Sequence, residues 1–219
     1  MNAVILAEDG RRDPKANWTR AVATPDGWCF VIPNTSNTNS YGYLYNEQIT
    51  SYERAKENFE KLFKVKSNYQ FKFNQYIAKT PIINNRIILG GNRLFFLEPM
   101  EATAIAAYLN WTRKVWDWII DDIATPEQIT SKFYKYINET KTFINWHYMY
   151  GSKYDTPFWK YANRLVSIED PLFHKMLEQV KNSSMVELTN QSREVYGQWD
   201  AYSFKYWYDG MTKEENGSK

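Results

Sequence analysis

Glu98 and Glu101 stand three residues apart around Pro99 in the stretch "GGNRLFFLEPMEATAIAAYLNW", residues 90–111. The residues before the pair are apolar, and so are those after it. A carboxylate buried at such a junction is costly to ionise, so its pKa rises, and that suits it to act as a general base. Pro99 cannot lie deep in a helix and marks the start of one. Glu101 then falls in the first turn, with Thr103 and Ala104 close behind. First-turn N–H groups have no acceptor within the helix, and together with the helix dipole they favour an anion. Gly90 and Gly91 let the backbone approach something flat or phosphorylated. The plainer reading is an acidic first turn that the dipole favours without any chemistry.

Other chemistry-bearing residues are few. Cys29 is the single cysteine, so neither an internal disulfide nor a cysteine-built metal site is available. It reads as a small buried hydrophobe in a strand, with no base beside it in sequence. His147 and His174 are the only histidines. His147 precedes Tyr148 on a helix and reads first as a hydrogen-bonded structural residue; His174, in "PLFHKM", reads as surface or packing. Asp117, Asp121 and Asp122 read as a solvated helix end rather than a metal site.

The elements that must position these residues change character along the chain. "NAVILA" (2–7) is a short strand followed by an exposed turn, "EDGRRDPK". Trp28, Phe30 and Ile32 alternate with Cys29 and Val31 until Pro33 stops a strand, and "YGYLYN" (41–46) alternates in the same way. Thr50 with Glu53 has capping-box spacing, and Tyr52, Ala55, Phe59, Leu62 and Phe63 share one helical face. "YQFKFNQYIA" (69–78) is a strand, and "NRIILGG" a short buried one. From Phe95 onward the pattern is helical. Thr125 caps a helix with Pro126 at its first position, and Phe133, Ile137, Phe143 and Trp146 carry its apolar side. The loop "GSKYDTP" ends that helix. "FWKYANRLV", "PLFHKMLEQVK" and an aromatic stretch with Trp199, Tyr202 and Tyr206 at helical spacing follow; packing is the default for that stretch. The tail "TKEENGSK" reads as frayed.

The expected fold class is α+β: a mixed or antiparallel sheet region over residues 1–111, then a helical region over 112–219. With 27 basic and 25 acidic residues interspersed, the net charge of +2 carries no basic stripe, which argues against nucleic acid as a partner. Aromatic residues make up 17% of the chain, enough to line a flat apolar pocket as well as a core. No apolar run is long enough to span a membrane and no signal peptide is evident, so the expectation is a cytoplasmic protein with no membrane partner.

"LFFLEPMEATAI" resembles the "GFLEPLEST/ATGI" block of the flavin-dependent tryptophan halogenases. "WTRAVATPDGWCFVIP" is similar to the segment leading into that family's W-x-W-x-I-P motif. "YGYLYN", followed by a helix with Glu53 and Ala55, looks like its "GYVYS…EEA" element, and "NWHYMYGSKYDTPFW" resembles its "HY…DTPFW" block. These blocks occur in order from about Trp18 to Asn163. The resemblance implies an enzyme that uses reduced FAD and oxygen to oxidise a halide ion and halogenate an electron-rich aromatic ring, indole-like, with a separate flavin reductase. It implies Glu101 as the active-site carboxylate and the backbone N–H groups of Thr103 and Ala104 as halide holders. Gly91, Asn92 and Ile105 match flavin-contacting positions. Trp28 and Phe30 match the wall between flavin and substrate, and Tyr148, Phe158, Trp159 and Asn163 the positions around the aromatic substrate.

The sequence departs from that pattern in three places. The second Trp of W-x-W-x-I-P is Phe30. The usual Ser after the glutamate is Ala102, and the usual Gly of the halide site is Ala104. Most consequentially, none of the 9 glycines forms the G-x-G-x-x-G turn that binds the FAD pyrophosphate, and the family's catalytic lysine has no counterpart. The chain therefore reads as the C-terminal portion of a halogenase. A partner chain would carry the nucleotide-binding half, or the sequence is a fragment or a decayed derivative. A non-catalytic aromatic-ligand-binding remnant and a flavin monooxygenase-like hydroxylase subunit are the alternatives.

Overall fold

In a computed structural model, which describes residues 1–11, 15, 17–165, 169–191 and 195–212, strands dominate the first part of the chain and helices the second. In chain order the elements begin with β1 (Ala3–Arg11), β2 (Arg20–Thr24), β3 (Gly27–Pro33), β4 (Thr38–Tyr45), α1 (Tyr52–Phe63) and β5 (Tyr69–Lys72). Four two-residue strands follow: β6 (Tyr76–Ile77), β7 (Ile82–Ile83), β8 (Ile87–Ile88) and β9 (Phe95–Phe96). Then come α2 (Thr103–Ile119), α3 (Pro126–Tyr150), α4 (Pro157–Leu165), α5 (Pro171–Asn182) and α6 (Met185–Gln191). The chain continues with β10 (Val195–Tyr196), β11 (Trp199–Asp200) and α7 (Ala201–Thr212). The fold class is α+β, as the sequence indicates. The chain divides into two units, Met1–Tyr76 with Gly151–Val166, and Ile77–Tyr150 with Ser167–Lys219. This division does not follow the composition shift near residue 112.

The first unit is built on an antiparallel sheet in the order β2-β3-β4-β1-β5. Period-two alternation sends Ala3, Ile5, Ala7, Cys29, Val31, Tyr41, Tyr43 and Tyr45 to one face, where Ala55 and Phe59 of α1 cover them. Trp28 and Phe30 therefore point to the other face, with their rings 6.3 Å apart. Gly42 lies opposite Phe30, and a Cβ there would fall 2.0 Å from the ring, so only glycine fits under it. Burial raises the pKa of the Cys29 thiol, which donates to Phe30 O and packs as an inert small side chain. The cap of α1 is Ser51, one residue beyond the expected Thr50. The Thr50 hydroxyl is instead engaged with Asp26 at 3.3 Å, a buried carboxylate that also accepts from Tyr43 and Asn58 and pairs with Arg54. On α1, Leu62 is exposed, so the expected apolar face narrows to Ala55 and Phe59, flanked by Tyr52 and Phe63. α4 belongs to this unit. Its Thr156 hydroxyl donates to Pro25 O at 2.6 Å and Trp159 Nε1 donates to Thr24 O at 2.8 Å, which fastens the helix start to the β2–β3 turn.

β1 runs on to Arg11, taking up the start of the expected turn, while residues 12–14 and the expected frayed tail beyond Thr212 lie outside the described residues. The stretch expected as one strand over 69–78 is two short ones, β5 and β6.

In the second unit, the expected buried strand around "NRIILGG" is the two-residue β8 paired with β7, and Ile87 is exposed. The helix expected from Phe95 starts at Thr103, because Phe95–Phe96 is extended and Met100–Ala102 forms a single 3-10 turn. α3 begins as expected: Thr125 Oγ1 accepts from Gln128 N–H, and Gln128 Oε1 accepts in return from Thr125 N–H, a reciprocal cap. Phe133, Ile137, Phe143 and Trp146 are all buried along it. Phe143 stacks on Trp199 at 3.9 Å, and Phe173, Met176, Val180, Tyr196 and Phe204 complete that core. Trp199 belongs to β11 rather than to α7, so the packed face of α7 is set by Ala201 and Phe204, and Tyr206 is exposed. Gly197 makes the β10–β11 turn at φ +61 and donates its N–H to the buried Glu139. α2 carries an exposed apolar stripe of Ile105, Leu109, Trp116 and Ile119 at spacings near one and two helical turns.

Candidate functional site

The segment from Leu97 to Thr103 gives its two carboxylates different surroundings. Glu98 lies among the buried Leu97 and Met100 and is 5% exposed. Tyr148 OH donates to its Oε2 at 2.7 Å, a length typical of a bond to a charged acceptor. Burial raises the pKa of Glu98, while the Tyr148 bond and the nearby His147 act against that rise. The expectation of a buried carboxylate at Glu101 is thus corrected: the buried one of the pair is Glu98. The Glu101 side chain is 27% accessible.

The cause lies in the backbone. Glu101 has φ 64 and Ala102 φ 49, so two consecutive non-glycine residues occupy the left-handed region. The 3-10 turn closes with Ala102 N–H donating to Pro99 O at 3.0 Å. The reversal swings the Glu101 carboxylate to His147, whose Nε2 lies 3.3 Å from Oε1. Ala102 occupies the N-cap position of α2 and offers no side-chain cap. Thr103, behind it, is buried, and Ala104 is partly covered. α2 therefore starts with first-turn N–H groups that no capping side chain serves, next to a tethered carboxylate.

His147 and Tyr148 are consecutive on α3, and each holds one of the two glutamates. His147 is also bound through Nδ1 to Phe143 O at 2.8 Å, and the Trp207 ring of α7 lies 3.8 Å from its ring. The sequence reading of His147 as a hydrogen-bonded residue holds, but its partner Glu101 was not legible. Nor was Trp207, because the aromatic spacing in that stretch selects Trp199, Tyr202 and Tyr206 instead.

Gly91, Asn92 and Ile105 all belong to the second unit. Gly91 has φ +53, and a Cβ at Gly90 or Gly91 would meet no atom within 4 Å. Asn92 Oδ1 accepts from Tyr108 OH at 2.8 Å, and Trp111 Nε1 donates to Leu89 O, so α2 holds the glycine turn in place. Ile105 is exposed one turn before Tyr108. The first unit contains Trp28, Phe30, Phe158, Trp159 and Asn163. Phe158 and Trp159 are buried with their rings 5.1 Å apart, and Asn163, one turn further along α4, is exposed. Two of the aspartates around the end of α2 are ion-paired: Arg113 reaches Asp117, within the helix, at 3.0 Å and Asp121, just beyond it, at 3.5 Å.

A family model described as tryptophan halogenase matches residues 2–212. The chain belongs to the tryptophan halogenase family. The tryptophan 6-halogenase ThaL of Streptomyces albogriseolus is 23% identical over 217 residues, which are 95% of this chain and 40% of ThaL. The tryptophan 7-halogenase RebH of Lentzea aerocolonigenes is 23% identical over 80% of this chain and 35% of its own length. Among solved structures, the tryptophan 6-halogenase SttH of Streptomyces toxytricini superposes with a TM-score of 0.69 at 20% identity, covering 93% of this chain and 40% of that one. The tryptophan halogenase of Shewanella frigidimarina NCIMB 400 gives a TM-score of 0.68 at 23% identity, over 96% of this chain and 42% of the other. These superpositions establish a shared fold. The chain spans about two fifths of the length of such family members. Among the described residues no helix is long and apolar enough to cross a membrane.

Proposed function

We propose that this chain forms the substrate-side portion of a flavin-dependent halogenase that halogenates an electron-rich, indole-like small molecule. The observation that carries the reading is the left-handed Glu101–Ala102 turn, which sets a tethered carboxylate beside the side-chain-uncapped start of α2. In this reading the backbone N–H groups of Thr103 and Ala104 hold the halide, and Glu101 orients or deprotonates at the substrate end. A β-carbon at Ala102 and Ala104 narrows that space.

Gly91, Asn92 and Ile105 are the residues proposed to touch the flavin ring; the open backbone at Gly90–Gly91 and the exposed Ile105 fit a flat ligand. Reduced FAD, delivered by a flavin reductase, supplies with oxygen the oxidising power for the halide. Trp28 and Phe30 form the wall between flavin and substrate. Phe158, Trp159 and Asn163 of the first unit and Tyr148 of the second are the residues proposed to contact the aromatic substrate; the Trp159–Thr24 and Tyr148–Glu98 bonds each fix one of them within its own unit. In this reading a partner chain carries the nucleotide-binding half, and the chain by itself has little or no activity. The exposed apolar stripe of α2 is a surface that such a partner would cover.

The test is co-expression with the nucleotide-binding half of a family member, followed by reaction of indole with reduced FAD and either chloride or bromide. Halide-dependent product with the matching isotope pattern is expected, and Glu101→Gln should lower its rate by about 10²- to 10⁴-fold. A hydroxylated product indifferent to halide would make the chain a monooxygenase subunit. Indole binding with no flavin retained by the pair would make it a non-catalytic binding remnant. Either result overturns the proposal.

A further inference from the structure

We infer that His147 is the positioning residue of the site: it shares a proton with Glu101, and that bond holds the left-handed turn in place. The inference rests on the reading above that this turn is the working end of α2. It starts from hydrogen-bond polarity. Phe143 O can only accept, so the His147 Nδ1 that lies 2.8 Å from it carries a hydrogen. The ring is thereby fixed in one sense, with Nε2 directed at Glu101 Oε1 at 3.3 Å. If both Nε2 and the carboxylate were bare, lone pairs would face each other across that distance. A proton therefore lies between them, either as imidazolium against carboxylate or as a carboxylic acid donating to neutral imidazole. Both forms are the same proton in two positions, and both keep Nδ1–H on Phe143 O.

The surroundings hold this arrangement in one geometry. His147 is 3% exposed, with the Trp207 ring 3.8 Å from its own on one side and the edge of Phe143 at 5.2 Å. The ionisable groups that face it are Glu101 and Glu98 from the segment before α2 and Tyr148 along α3, while Trp207 of α7 is neutral. The turn needs such an anchor. Consecutive non-glycine residues at φ 64 and φ 49 persist only where their surroundings over-determine them. Three ties do so here: the His147 bond, the Ala102 N–H bond to Pro99 O, and the buried Met100 side chain between them. Of these ties, only the His147 bond acts through a side chain that could also serve chemistry. Losing it leaves Glu101 able to relax to right-handed backbone, and its carboxylate then leaves the start of α2.

The measurement is long-range ¹H–¹⁵N correlation on the full chain labelled at histidine, which carries only His147 and His174. His174→Asn assigns the signals. The expected pattern for His147 is a protonated Nδ1 and a Nε2 that shares its proton. In Glu101→Gln, whose side-chain amide donates, Nε2 becomes a bare acceptor while Nδ1–H persists. A purely structural histidine would show no such exchange of roles. In His147→Phe, backbone shifts of Glu101 and Ala102 should leave the left-handed range while those of the rest of α2 stay in place. A wild-type ring with bare Nδ1, or a Nε2 signal unmoved by Glu101→Gln, overturns the inference even if the Phe variant does not fold. None of these readouts uses halide, flavin or activity, so the inference stands or falls separately from the proposed function.

Discussion

Replacing Glu98 by Gln should make the protein more resistant to unfolding at neutral pH, and the gain should appear only above a definite pH. Burial raises the folded-state pKa of Glu98 above the ordinary glutamate value of 4.5. Between that value and the raised one, the folded protein binds more protons at this site than the unfolded chain. Unfolding free energy then falls as pH rises through the window, and it stays level above it. One proton contributes a slope of at most about 1.4 kcal/mol per pH unit. The substituted glutamine cannot ionise, yet its side-chain oxygen still accepts from Tyr148 OH, so Glu98→Gln removes the charge and keeps the bond. Urea unfolding followed by tryptophan fluorescence, in steps of half a pH unit, gives the curve for each protein. Subtracting wild type from variant cancels every other carboxylate. The difference should be constant below pH 4.5, climb above it with a slope no steeper than the one-proton limit, and then level off. A flat difference, or one that declines with pH, would refute the argument that Glu98 is a carboxyl group kept from water at a cost.

Asp26→Ala should lower stability by about 3–5 kcal/mol in denaturant unfolding, because it strips the acceptor from Tyr43, Thr50 and Asn58 and the partner from Arg54. Gly42→Ala should cost about 1–3 kcal/mol through its clash with the Phe30 ring; Gly42→Ala with Phe30→Leu should recover part of the loss, and additivity of the two would count against the close approach. Phe143→Ala, which empties the centre of the α3–α7 core, should cost about 3–5 kcal/mol and lower the melting temperature accordingly.

How much was legible follows from how local each signal is. The alternation in β3 and β4 and the 3.6-residue period of α3 announce themselves, and Cys29, Phe133, Ile137, Phe143 and Trp146 fall where those periods put them. The Ser51 cap was missed by one residue because the hydroxyl of Thr50 is drawn away by Asp26, which is distant in sequence. The start of α2 was placed too early because an apolar run such as Leu94–Phe96 looks the same whether it is extended or helical. At the site, Glu98 and Glu101 stood out by type and spacing, but their roles could not be ranked. Which of them is buried depends on positive φ angles at Glu101 and Ala102, residues with no glycine to flag them, and on a histidine 46 positions further along the chain.

Because His147 and Tyr148 are neighbours on one helix, α3 works as a ruler for both acids at once. Each residue added or removed between its Thr125 cap and this pair would turn both side chains by about 100° and slide them by about 1.5 Å. A single such change would release both glutamates together. The stretch from 126 to 147 should therefore tolerate many exchanges of one amino acid for another and almost no change in length.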